Sequence, residues 1–216
     1  MKIVLEPNQR VFFTSDTHAS HANICSATTN WVNPPTLRHF KSIQDMNDML
    51  VGNINYLVDE NDILFHLGDW SFGGFDKIAE FRSRLVCKNI HLILGNHDHH
   101  IERNKEGIRD LFTTVSHYSR LTIVRPLSKN SNIKYNFVLF HFPIASWDNM
   151  NQNVIHLHGH MHLNSIDRIG RGKSLDVGVD GNNLFPISLE DVCKLVETNP
   201  VDNLVLPNDH HKNDNI

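Results

Sequence analysis

The chain predicts an α/β fold, a two-layer mixed β-sheet sandwich flanked by helices. Three observations lead there. In the first half, short apolar runs alternate with stretches of helical periodicity, the pattern of a parallel sheet covered by helices. In the second half, short apolar runs follow one another with little helical pattern between them, so more strands must join the sheets. Finally, five of the apolar runs stop at Asp, Asn or His, in "SDTH", "LGDW", "LGNHD", "LFHF" and "HLHGHMH". In open α/β sheets, functional groups gather beyond the carboxyl ends of the strands.

"RVFFTSD" (10–16) reads as a buried strand ending in a carboxylate. Residues 42–58 read as a helix: Ser42 with Asp45 forms a capping-box-like start, and Ile43, Met46, Leu50, Ile54 and Leu57 share one face. "DILFHLGD" (62–69) is the second strand, 75–87 a helix, and "NIHLILGNHD" (89–98) the third strand. Further strands are expected at 113–118, 121–125, 136–142, 154–158 and 174–180. A last helix starts near Ser188, with Asp191 supporting the cap.

The 216 residues suit one domain, expected over 1–206, with a polar tail at 207–216 that includes His210 and His211. No apolar run approaches the roughly 20 residues of a membrane span, and Glu6, Pro7, Asn8 and Gln9 interrupt any signal-peptide core. Cys25, Cys87 and Cys193 are far apart and form no CxxC, as expected of reduced thiols. The expected location is cytoplasmic. A net charge of -4 argues against non-specific nucleic-acid binding.

Sixteen histidines stand beside many Asp and Asn residues, the ligand types of borderline divalent metals. Asp16 and His18 are two apart, Asp69 follows Gly68, Asn96 follows Gly95, His141 ends an apolar run, and His160 and His162 follow Gly159. Those seven donors exceed the roughly four ligands of one ion. They suit two ions about 3.5–4 Å apart with one bridging carboxylate.

The ordered series "DTH" (16–18), "GD" (68–69), "GNHD" (95–98), "H" (141) and "GHMH" (159–162) resembles the calcineurin-like metallophosphoesterases, over residues 10 to about 180. "FTSDTHASHANI" and the short length are similar to small bacterial and phage members. The resemblance implies one metal on Asp16, His18, Asp69 and His162, and a second on Asp69, Asn96, His141 and His160, with Asp69 as the bridge. The metals are two divalent transition ions, Mn, Fe, Zn, Ni or Co, with Mn favoured. It also implies attack on phosphorus by a hydroxide held between the metals. His97 then acts as general acid or charge stabiliser, and Asp98 orients it by hydrogen bond.

Other readings compete residue by residue. His21 and Asn23 are candidate substrate contacts or merely loop polarity. Trp31, Trp70 and Trp147 would stack a base, or more ordinarily pack. His66, His156 and His158 read as core or supporting histidines, and His39, His91, His99, His100 and His117 as satisfied or surface ones. At the level of function, a metal-dependent phosphodiesterase is favoured, acting on a phosphate ester such as a nucleotide or cyclic nucleotide. A phosphomonoesterase, a non-catalytic interaction module and a metal buffer are the alternatives. The complete ligand set favours an enzyme. The protein phosphatases of the resembled superfamily carry arginines beside their GD and GNH motifs, whereas "GDWSFGG" has none and Leu94 precedes "GNHD". That difference favours the singly charged diester, unless Arg38 or Arg103 folds into the pocket.

Overall fold

The computed structural model describes residues 1–32, 34 and 36–201; the expected tail lies outside the described residues. In chain order the main elements are β1 (Lys2–Val4), β2 (Val11–Thr14), α1 (Ile43–Leu57), β3 (Ile63–His66), α2 (Gly74–Ser83), β4 (Asn89–Ile93), α3 (His99–Glu102), β5 (Thr114–Ser116), β6 (Tyr118–Ser128), β7 (Ser131–Phe140), β8 (Ile155–His158), β9 (Ser174–Asp176), β10 (Ile187–Ser188) and α4 (Leu189–Glu197). They form two five-stranded sheets. One runs β10-β2-β3-β4-β5, with β2 to β5 parallel and β10 antiparallel at the edge. The other runs β1-β6-β7-β8-β9, with only the β6–β7 pair antiparallel. This is the expected mixed two-sheet sandwich.

Strand alternation sorts the core into two layers. Phe13 of β2 and Phe65 of β3 face the second sheet, where Phe13 packs 5.3 Å from Phe137. Leu121, Ile123, Leu139, Leu157 and Leu175 complete that inter-sheet core. Phe12, Leu64, Ile90 and Leu92 point the other way, onto Met46, Leu50 and Ile54 of α1 and Ile78 and Phe81 of α2. Helix α1 begins as its sequence dictates, with the Ser42 side chain accepting the Asp45 backbone N–H at 3.0 Å. Helix α4 repeats the device, Ser188 accepting from Asp191 N–H.

The strands are shorter than their apolar runs suggest. β2 ends at Thr14, β3 at His66 and β4 at Ile93, each two or three residues before the first polar ligand candidate. Asp16 and Asp69 have φ of 56°, a left-handed backbone that no strand accommodates. The expected strand 174–180 likewise stops at Asp176 and turns into a 3-10 segment, Val179–Asn182. β6 and β7 are longer than expected because they form one hairpin whose outer half is largely exposed and polar, without an apolar alternation to read. Helix α2 stops at Ser83 rather than at 87. β1 and β10 are too short to carry a pattern.

Candidate metal centre

The loops that follow β2, β3, β4, β7 and β8 meet, and backbone hydrogen bonds lock them together. Asp16 N donates to Gly68 O at 2.9 Å, His18 N to Asp69 O at 3.0 Å, and Gly159 N to His141 O at 2.9 Å. Two glycines are required where these loops cross. Gly68 has φ of 101°, and a Cβ there would lie 2.5 Å from Gly95 N and 2.7 Å from His141 Nδ1. At Gly159 a Cβ would strike the side chains of Ser15 and Asp16. Any side chain at either point would push the loops apart.

Asp16 is fully buried. Its Oδ2 accepts the His160 backbone N–H at 2.9 Å, whereas Oδ1 has no hydrogen-bond partner among the described residues. That oxygen lies 3.8 Å from both His18 Nε2 and His162 Nε2, and those two nitrogens are 3.2 Å apart. Burial, with the charges of Asp69 and Asp176 adding and His162 and His141 opposing, pushes the Asp16 carboxyl up to about 7, and burial is the main cause that holds His18 well below its ordinary value. A cation in the shared space would reverse the first effect and exploit the second. Asp69 gives Oδ1 to the His97 backbone N–H at 2.9 Å. Its Oδ2 stands between His18 Nε2, at 3.4 Å, and His141 Nε2, at 3.6 Å.

The tautomers follow from the outer hydrogen bonds. His141 Nδ1 lies 2.7 Å from Leu67 O, an acceptor only, so Nδ1 carries the proton and Nε2 offers its lone pair inward. Asn96 Oδ1 sits 3.1 Å from that same Nε2. His162 Nδ1 lies 2.7 Å from Asp180 Oδ2 and is held the same way. The His160 ring closes the rim, 5.2 Å from that of His141. Two ligand sets converge within 4.8 Å, Asp16 with His18 and His162, and Asp16 with Asp69 and His141. The buried, unpartnered carboxylate oxygen and the inward imidazole lone pairs fit divalent cations, and nothing else among the described residues satisfies that oxygen.

Asp180 escaped the sequence reading, and Arg38, considered there only as a possible pocket cation, turns out to be its partner. Arg38 is buried and gives Asp180 two hydrogen bonds, Nε to Oδ1 at 2.8 Å and Nη2 to Oδ2 at 2.9 Å. It also donates to Thr17 O at 2.7 Å and Asp16 O at 2.6 Å. Burial would raise the Asp180 carboxyl, but Arg38 and His162 outweigh it and hold Asp180 well below the usual carboxylate range. Asp180 carried the same signal as the other sites, an apolar run, "LDVGV", stopping at a carboxylate. Nothing around Arg38 pointed to Asp180 as its partner.

His97 is exposed beside the cluster, its ring 5.5 Å from that of His18 and 4.9 Å from Phe72. No hydrogen bond from Asp98 to the His97 ring is found among the described residues. The Asp98 carboxylate accepts three backbone N–H groups instead, Gly95 and Asp69 on Oδ2 at 2.8 Å each and Trp70 on Oδ1 at 2.9 Å. Those bonds tie the loop after β3 to the loop after β4. His21 lies flat on Phe72, centroids 3.7 Å apart, and burial pulls it down to about 4. Asn23 directs its amide oxygen to Asn30 N–H at 3.1 Å and braces its own loop. Trp70 is wholly buried against Phe81 and Phe112, and Trp147 bonds Val154 O, so both are packing residues. His66 is also internal: its Nδ1 accepts Gly68 N–H, which leaves Nε2 to donate to Thr17 Oγ1.

Strand-end loops of a two-sheet sandwich that gather two carboxylates, an amide and four imidazoles around the unpartnered Asp16 Oδ1 suit divalent cations and point to a metallophosphoesterase class. The chain matches the calcineurin-like phosphoesterase family over residues 9–212 and belongs to that family. It is 30% identical over 199 residues to the uncharacterized protein MJ1445 of Methanocaldococcus jannaschii, a match that covers 89% of this chain and 94% of the relative. Its fold is similar to that of AQ665, a protein of unknown function from Aquifex aeolicus, with a TM-score of 0.59 and 23% identity over 88% of this chain and 100% of the other. Membership makes the protein a metal-dependent phosphoric ester hydrolase with a dinuclear divalent-metal centre and a phosphate-ester substrate. No helix among the described residues is long and apolar enough to cross a membrane.

Proposed function

We propose that the protein is a cytoplasmic phosphodiesterase that works with manganese. Asp16, His18, Asp69 and His162 would hold one ion, and Asp69, Asn96, His141 and His160 the other. The single observation behind this reading is the buried Asp16 Oδ1, unpartnered and facing two imidazole nitrogens. Bound there, two divalent ions supply Lewis acidity to phosphoryl oxygens and a water acidic enough to attack at neutral pH. Asp69 supports the reading twice over, with one oxygen between His18 and His141 and the other fixing the His97 backbone. His97, exposed at the rim, would give a proton to the departing oxygen. Manganese suits the mixed carboxylate, amide and imidazole donors, although that set also accepts Fe, Zn, Ni or Co. Three free cysteines suit a reducing cytoplasm.

The preference for a diester rests on the arginines. A monoester arrives as a near-dianion and gains from guanidinium groups beside the metals. Arg38 is committed to Asp180, Asp16 and Thr17, and Arg103 is exposed at the end of α3. A diester carries one charge and does not need them. The test compares kcat/KM for bis-p-nitrophenyl phosphate and p-nitrophenyl phosphate with Mn, Fe, Zn, Ni or Co added in turn. The diester should be preferred, with Mn the best activator. A preference for the monoester would overturn the diesterase reading, and hydrolysis of neither would overturn both.

A further inference from the structure

A wall of aromatic rings leads away from the metal centre. It begins at His97, whose ring is 4.9 Å from Phe72. Phe72 also lies 5.4 Å from the His18 ring and stacks on His21 at 3.7 Å with 11° between the planes. His21 then meets Trp31 edge-to-face at 5.6 Å and 86°. Trp31 has no other aromatic neighbour among the described residues and is 46% exposed, and Val32 beside it is 89% exposed. The open indole face is a flat apolar surface on which another ring can stack.

The loop that carries Trp31 is built to hold it there. Thr28 and Thr29 donate their backbone N–H groups to Cys25 O, Thr28 Oγ1 donates to Ala22 O at 2.7 Å, and Asn30 N–H goes to Asn23 Oδ1. The Trp31 backbone N–H donates to Thr29 Oγ1 at 3.2 Å. The loop closes on Arg38, whose N–H donates to Ile24 O and whose carbonyl accepts Ser26 N–H. Since Arg38 also grips the Asp16 and Thr17 carbonyls, the Trp31 loop and the metal loop are one mechanical unit. Packing alone would not call for an exposed ring so firmly referenced to the ligands.

We propose that Trp31, with His21 and Phe72 behind it, is a stacking subsite for a nucleobase attached to the phosphate at the metal centre. This rests on the phosphoesterase reading above and narrows its substrate class to nucleotidyl esters. Two ring-to-ring steps, 5.4 Å from His18 to His21 and 5.6 Å on to Trp31, separate the metal ligands from the open indole. A sugar spans such a gap between phosphate and base. Stacking is tolerant of base identity, so the subsite selects for a base rather than among bases.

The test is calorimetric titration of the Mn-loaded protein with adenosine 5′-monophosphate and with ribose 5-phosphate, which differ only by the base. The nucleotide should bind about 10-fold more tightly. Trp31→Leu, a change at an exposed position, should remove that advantage and leave ribose 5-phosphate binding as it was, whereas Trp31→Phe should restore part of it. Equal affinities in the wild type, binding of neither, or a base preference that survives Trp31→Leu would overturn the subsite. None of these depends on turnover, so failure of the phosphoesterase reading shows separately, as no hydrolysis of either nitrophenyl ester.

Discussion

Five of the seven expected ligands, Asp16, His18, Asp69, His160 and His162, hold φ between 46° and 71°. A left-handed backbone costs a non-glycine residue roughly 1–2 kcal/mol, and such residues persist only where the surroundings over-determine them. Here the strain aims consecutive side chains into one small space. The same precision extends outward through Asp180 to His162. Asp180→Asn should therefore weaken metal retention about 10–100-fold, the usual effect of losing a carboxylate behind a ligating histidine. Equilibrium dialysis would show it, and unchanged affinity would reduce Asp180 to a mere anchor for Arg38. His97→Ala, by contrast, should keep both metals and lose rate by about 10²–10⁴-fold. The loss should shrink for nitrophenolate, which leaves without a proton. Equal losses for good and poor leaving groups would point to charge stabilisation instead.

Between elements, the decisive contacts are loop to loop. Asp98 joins the turn after β3 to the turn after β4 by accepting from Gly95, Asp69 and Trp70. An unsatisfied buried donor costs about 1–3 kcal/mol. Asp98→Ala leaves three such donors, so it should lower unfolding free energy by about 2–5 kcal/mol, water making good part of the loss. It should also loosen metal binding, since Asp69 stands on one of the freed amides. Urea denaturation with parallel metal analysis checks both. A variant of normal stability that had lost only rate would return Asp98 to the role of orienting His97.

Across the whole molecule, buried histidines set the response to acid. His66 is lowered to about 3, chiefly by burial with His141 adding, His91 to about 4 by burial, and His156 to about 4 by burial with His158 adding. All three titrate near 6.5 when unfolded, so between roughly pH 6.5 and 4 the unfolded chain binds more protons than the folded one. Stability is therefore fully present above pH 6.5 and falls as pH drops toward 4. The urea midpoint should be lower at pH 5 than at pH 7, and His91→Gln should flatten that dependence in part. A midpoint that did not fall in acid would mean these rings find protons or partners on folding.

The sequence by itself determined the layer architecture and the helix starts, and it named seven candidate donors that the fold brings close together. Each depends on a local pattern: strand alternation, Ser42 and Ser188 three residues before a capped N–H, or an apolar run stopping at a ligand. The complete ligand series also carried the family. Strand ends were misplaced because the apolar run continues past the point where the backbone turns left-handed, and φ leaves no mark in composition. Asp98 was given the wrong partner because adjacency to His97 in sequence says nothing of direction. The Arg38–Asp180 pair lies 142 residues apart. Only the tertiary structure decided it, because burial forces a guanidinium to find a carboxylate across space, and that partner cannot be read from either neighbourhood.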